Sequence, residues 1–166
     1  MVSSRRTAKD IMTTPVQTVR PADPLKMVID LICRHRVSGV PVVEGKGRLV
    51  GLISERDILH ALYPGDTPGM ATGGRAGGDL KDINGLLARD IMITEVVTAD
   101  PETDFLRLAS IMSLEKIRRI PIVEGNTLVG IVSHGDVGRA IFGKPAGSVV
   151  CPAMHIDRDP PQGNVS

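Results

Sequence analysis

The chain has 166 residues, 42% of them hydrophobic, enough to supply an apolar core for one domain or two small ones. With 20 Lys and Arg against 19 Asp and Glu and only 2% aromatic residues, it lacks both the charge footprint and the stacking platforms of a nucleic-acid binder. No apolar run reaches the roughly 18 residues of a membrane span and Met1 to Asp10 lacks a secretory core, so a cytoplasmic protein without a membrane partner is expected.

In chain order, Val16 to Val19 reads as a short strand, followed by Asp23-Pro24, an N-cap with proline at the first helical position. A helix follows, with Leu25, Val28, Ile29 and Ile32 at the i, i+3, i+4, i+7 spacing of one buried face. Val40 to Val43 and Leu49 to Ile53 are β-branched apolar runs joined by Glu44-Gly45-Lys46-Gly47, a glycine-containing hairpin connection. A last helix starts at Ser54 and runs to about Leu62. Tyr63 to Asp79 is rich in Gly and Pro and reads as a linker, Asp82 to Leu87 as a short helical approach, and residues 143–166 as an extended tail.

The pattern then recurs. Lys9-Asp10-Ile11-Met12 returns as Arg89-Asp90-Ile91-Met92, an offset of about eighty residues, and Val40-Pro41-Val42-Val43-Glu44-Gly45 returns as Ile120-Pro121-Ile122-Val123-Glu124-Gly125. Leu49 to Ser54 matches Leu128 to Ser133, Asp57 matches Asp136, and the helical face recurs as Phe105, Leu108, Ala109 and Met112. Each unit therefore reads as strand, helix, strand, strand, helix. The expected divisions are 7–62 for the first unit, 63–86 for the linker, 87–142 for the second unit and 143–166 for the tail.

Within each unit Ser-x-x-Asp stands where a strand gives way to a helix. Free backbone N–H groups and the helix dipole favour an anion there, a hydroxyl adds a donor, and a carboxylate one turn on can accept both hydrogens of a ribose diol. The same four residues also form a simple helix cap, and the two roles are compatible. The histidines, His35, His60, His134 and His155, are scattered, and neither Cys33 nor Cys151 belongs to a ligand cluster; reduced thiols and no metal are expected. No acid, base and nucleophile converge, so no catalytic residue is assigned and the chain is not read as an enzyme. Met12 and Met92 read as packing residues.

Asp-Ile-Met, then Gly39-Val40-Pro41-Val42-Val43, then Gly51-Leu52-Ile53-Ser54-Glu55-Arg56-Asp57 resemble the successive signatures of a cystathionine-β-synthase (CBS) domain, and the second unit gives the same series. The resemblance covers roughly residues 7 to 142. It implies an α+β fold of two β-α-β-β-α repeats related by a pseudo-twofold axis and packed through their sheets, a Bateman module with two clefts. It further implies a regulatory ligand, an adenine nucleotide (AMP, ADP or ATP) or a related adenosyl compound, with no required cofactor. The module would signal by conformational change to an effector protein in trans and pair into a homodimer through its helices, Leu25 to Ile32 and Phe105 to Met112; the alternative is a dimerisation module that binds no ligand.

The resemblance also implies that each cleft combines Ser-x-x-Asp of one repeat with strand residues of the other. The first would join Ser54, Arg56 and Asp57 to Met92, Val97, Ile117, Arg118 and Arg119, its arginines facing a polyphosphate. The second would join Ser133 and Asp136 to Met12, Gln17, Val37, Ser38 and Gly39, with lower phosphate affinity because His134 and Gly135 stand where the first has Glu55 and Arg56. Arg118-Arg119 can equally be a solvated pair at a helix end. Glu95, in place of Pro15, brings a carboxylate toward the first cleft.

Overall fold

The structure is a computed structural model that describes residues 6–62 and 83–142. The linker stretch 63–82, the tail, Cys151 and His155 lie outside these residues. Chain order is α1 (Ala8–Ile11), α2 (Leu25–His35), β1 (Gly39–Glu44), β2 (Arg48–Ser54), α3 (Glu55–Leu62), α4 (Ala88–Ile91), α5 (Phe105–Leu114), β3 (Arg119–Glu124), β4 (Thr127–Ser133) and α6 (His134–Phe142). The architecture is α+β, two equivalent units facing each other across an approximate twofold axis.

The axis is legible in the sheet. Strand order is β1-β2-β4-β3, two antiparallel hairpins meeting at one residue pair, Arg48 with Thr127. The hairpin registers match: Gly39 pairs with Ser54 as Arg119 pairs with Ser133, and each ladder slips at the same point, after Val42 and after Ile122. Glycine closes each turn with a left-handed backbone, at Gly45 (φ 55°) and Gly125 (φ 62°), where a Cβ would be strained.

Each unit builds its own core. Leu25, Val28 and Ile32 of α2 are buried with Val40, Val42 and Ile53, and Leu108 and Met112 of α5 with Ile120, Ile122 and Val132. The periodic helical faces thus lie inside the units, each fully buried aliphatic side chain contributing about 1.5–3 kcal/mol. Leu25, Val28, Ile32, Leu108 and Met112 are fully engaged there, while Ile29, Phe105 and Ala109 of the same faces are half-buried. The exposed large apolar residues of these two helices are others, Met27 on α2 and Leu106 and Leu114 on α5; α6 adds Ile141 and Phe142.

The short segments that open the repeats are exchanged. Ala8, at the start of α1, is fully buried in the core of the second unit, and Ala88, at the start of α4, in the core of the first. Matching hydrogen bonds fix both: Ala8 N–H donates to Thr103 O (2.7 Å) as Ala88 N–H donates to Asp23 O (2.8 Å). Farther along, Thr13 and Ile131 exchange backbone hydrogen bonds, as do Ile93 and Leu52.

Several local expectations change. The Val16–Val19 strand reduces to one parallel bridge, Val19 with Val42. Asp23 does not cap α2; its carboxylate accepts from Arg20 N–H (2.7 Å) and closes the preceding turn, while in the second unit Asp104 does cap α5 through Leu106 N–H (2.8 Å). Residues 83–87 form a turn rather than a helix, because Ile83 and Leu86 pack on the first core and hold the chain in place for α4. Among the described residues no helix is long and apolar enough to cross a membrane.

Candidate functional site

Ser54 and Ser133 end their strands one residue before α3 and α6 begin, so each is an N-cap. Asp136 accepts from both the N–H and the hydroxyl of Ser133, each at 2.7 Å, and its own N–H donates back to the Ser133 hydroxyl at 3.3 Å. Asp57 does the same with Ser54, at 2.7, 2.5 and 3.4 Å. The capping function of Ser-x-x-Asp is therefore realised in both repeats. The environments differ. Asp136 is buried, and its second carboxylate oxygen takes a hydrogen bond and ion pair from Arg139, one turn on in α6.

Around Ser133 and Asp136 the chain forms a cleft of about 240 Å³ open to solvent. Its other walls come from the first repeat: Thr13, Pro15, Val16 and Gln17 from the segment after α1, and Arg36, Val37, Ser38 and Gly39 leading into β1. Of the residues that the sequence assigns here, Gln17, Val37, Ser38, Gly39, Ser133 and Asp136 come together. Met12 does not line the cleft. Its side chain lies against Gly130 in β4, as Met92 lies against Gly51 in β2, so both methionines pack across the repeat boundary.

Arg119 departs furthest from the expected arrangement. Its backbone starts β3, but its guanidinium crosses the axis, donates to the Ser38 hydroxyl and lines the Ser133 cleft. Gly39 makes room for it: a Cβ at Gly39 would collide with the Arg119 guanidinium and stand 2.5 Å from Ile53 O. Gly39 and Arg119 are the same position of the two repeats, so one unit's missing side chain houses the other's largest. Burial pushes the Arg119 pKa down from its ordinary value, opposed by the charges of Glu55 and then Asp57, with Arg118 adding to the lowering. An arginine stays charged under such conditions.

The arginines expected to face one polyphosphate therefore diverge. Arg118 lines an outer groove between α5 and α6 with Met112, Lys116, His134 and Val137. Arg56 is exposed at the first turn of α3, Val97 is exposed, and Ile117 is half-buried. Thr13, Pro15, Val16, Arg36 and Ile131 also line the cleft, beyond the residues that the sequence assigns to it. Ile131 was accessible by the two-residue period of a strand, which puts it on the same face as Ser133. Among the described residues no group of three or more His, Cys, Asp and Glu is placed to hold a metal.

Comparison with known proteins agrees with this geometry. The family model for the CBS domain matches residues 8–64 and again 88–143. The CBS domain-containing protein YhcV of Bacillus subtilis is 32% identical over 89% of this chain and 94% of its own length. Among solved structures, the CBS domain pair of protein MJ0100, in complex with 5′-methylthioadenosine and S-adenosyl-L-methionine, is similar with a TM-score of 0.67 and 26% identity, covering 84% of this chain and 98% of its own. CBSX2, solved in complex with AMP, shares the fold at a TM-score of 0.67 and 24% identity, covering 83% of this chain and 97% of its own. Two matched repeats that span most of the chain, with a relative 32% identical over 89% of it, lead to one assignment: the chain belongs to the CBS-domain family and consists of a pair of CBS domains.

Proposed function

We propose that the chain is a regulatory ligand-sensing module whose cleft at Ser133 and Asp136 binds an adenosyl compound and whose response is a change in the relative placement of the two repeats. The observation that carries this reading is the composition of the cleft. One wall belongs to the second repeat and the other to the first, so a bound ligand contacts both. A ligand that prefers one arrangement of the repeats shifts their equilibrium by its difference in affinity, and this is the physical basis of a signal. At about 240 Å³ the cleft lies just below the roughly 300–1,000 Å³ usual for small-molecule sites, which suits a mononucleoside better than a dinucleotide. Support for the adenosyl class comes from the MJ0100 pair, which holds 5′-methylthioadenosine and S-adenosyl-L-methionine.

The ligand's ribose would compete with Ser133 for Asp136, and its anionic group would meet Arg119 and Arg36. The Ser54 and Asp57 side of the axis, with Met92, Val97 and Ile117, is the second candidate position. The output acts on an effector protein in trans. Isothermal titration of nucleotide-stripped protein with AMP, ADP, ATP, 5′-methylthioadenosine and S-adenosylmethionine tests the reading, with Gln17→Trp, at an exposed position of the cleft wall, as the blocked-cleft control. Micromolar binding of at least one compound, lost in Gln17→Trp, is expected; absence of binding at millimolar concentration refutes it.

The exposed apolar residues Leu106, Leu114 and Ile141 favour a second property, self-association through the outer faces of α5 and α6. Light scattering should give the mass of a homodimer, and Leu114→Glu a monomer. A homodimer that binds no adenosyl compound would make dimerisation the module's whole function.

A further inference from the structure

Asp136 lines the Ser133 cleft and is 5% exposed, yet both of its carboxylate oxygens are already bonded. One accepts from the N–H and the hydroxyl of Ser133, each at 2.7 Å; the other takes a hydrogen bond and ion pair from Arg139. Arg139 does not itself line the cleft, so it acts there only through Asp136. A carboxylate offers about four lone-pair sites, and these three donors fill three of them. The hydrogen of the Ser133 hydroxyl rotates and can release one more, which leaves two acceptor sites for the two hydroxyls of a ribose. Without Arg139 the same buried carboxylate would carry an unpaired charge and lose the partner that fixes its plane.

The first repeat is built otherwise. His60 stands where the second repeat has Arg139, and among the described residues no ion pair reaches Asp57, which is less deeply buried. Resting on the adenosyl-ligand reading above, we propose that Arg139 is a positioning residue for sugar recognition: it holds the Asp136 carboxylate oriented, and so makes the Ser133 cleft select a ribonucleoside over its 2′-deoxy counterpart. Strict selection for the 2′-hydroxyl then belongs to the Ser133 side of the axis, where the aspartate is clamped from both ends.

The test is isothermal titration of the full chain with AMP and with 2′-deoxy-AMP, which differ only in that hydroxyl, on wild type, Arg139→Met and Arg139→Lys. Wild type should bind AMP about tenfold or more tighter than 2′-deoxy-AMP, the loss expected for one hydrogen bond to a charged group. Arg139→Met should weaken AMP about tenfold and 2′-deoxy-AMP by less than about threefold, so that the preference largely disappears. Arg139→Lys keeps a cation one turn from Asp136 and should retain a preference within about threefold of wild type. If Arg139→Met does not fold in a thermal scan, Arg139→His, which copies the first repeat, carries the test at about pH 8, where an ordinary histidine is neutral, with the same loss of preference expected.

Equal weakening of both nucleotides would make Arg139 merely structural and overturn the proposal, as would a wild-type preference that survives in Arg139→Met. Equal wild-type affinity for the two nucleotides would also overturn it while leaving the adenosyl reading standing. Binding of neither would refute the adenosyl reading and this inference with it.

Discussion

The side chain of Met92 lies so close over Gly51 that a Cβ there would stand 2.6 Å from the sulfur and 3.0 Å from the carbonyl oxygen of Ile93. The related contact of Met12 on Gly130 differs in one respect: the nearest atoms all belong to the flexible methionine. Gly51→Ala must therefore displace backbone that is pinned by the Leu52–Ile93 hydrogen bonds, and should cost about 1–3 kcal/mol. In double-mutant cycles followed by urea unfolding, Met12→Ala should relieve Gly130→Ala substantially, whereas Met92→Ala should relieve Gly51→Ala only in part. Equal relief in the two cycles would contradict the backbone argument.

Exchange of the opening segments predicts where damage appears. Ala8 is fully buried among Leu108, Met112, Ile120 and Ile122, far from its own repeat in chain order. Ala8→Leu overpacks that site by about 1–3 kcal/mol. In hydrogen exchange the amides of β3 and β4 should lose more protection than those of β1 and β2. The reverse pattern would place α1 on its own repeat.

This exchange also marks the limit of what the sequence discloses. The repeats were legible because Asp-Ile-Met, the proline-containing strand and Ser-x-x-Asp recur in order, and the helical spacing of Leu25, Val28 and Ile32 correctly located a buried face. Which unit receives α1 was not legible: Ala8 and Ala88 are equivalent, so packing within or across repeats satisfies the same pattern. The arginines escaped for a related reason. Strand register fixes the Cα of Arg119, but its long side chain can reach either side of the axis, and the vacancy at Gly39 decides which. The capping role of Asp23 failed because a local turn offered its carboxylate a nearer donor, Arg20 N–H.

The two motif aspartates should differ in structural weight. Asp136 is 5% exposed and holds Arg139 as well as Ser133, whereas the more accessible Asp57 holds Ser54. Asp136→Ala should cost about 2–3 kcal/mol in thermal or urea unfolding, and Asp57→Ala about 1 kcal/mol. Equal costs would mean that the Arg139 contact adds nothing.

Acid should act on the capping of α1. Asp10 accepts from Thr7 N–H (2.8 Å), and that backbone hydrogen bond, followed by the one from the Thr7 side chain, lowers its pKa below 3.8. A carboxyl whose folded pKa is depressed stabilises the fold above its unfolded pKa and loses that contribution as pH falls through the folded value. The melting-temperature gap between wild type and Asp10→Asn should therefore be full near neutral pH and close below about pH 4. A gap that persists unchanged at low pH would show that the carboxylate charge is not its source.

Bridging of the repeats by an adenosyl ligand at the Ser133 cleft can be read by amide chemical-shift mapping of isotope-labelled protein titrated with AMP. Saturable shifts should concentrate on Thr13, Gln17, Val37, Ser38, Gly39 and Ser133, from both repeats at once. Shifts confined to one repeat, shifts on the outer groove at Ser113 and Lys116, or none at millimolar AMP would contradict it.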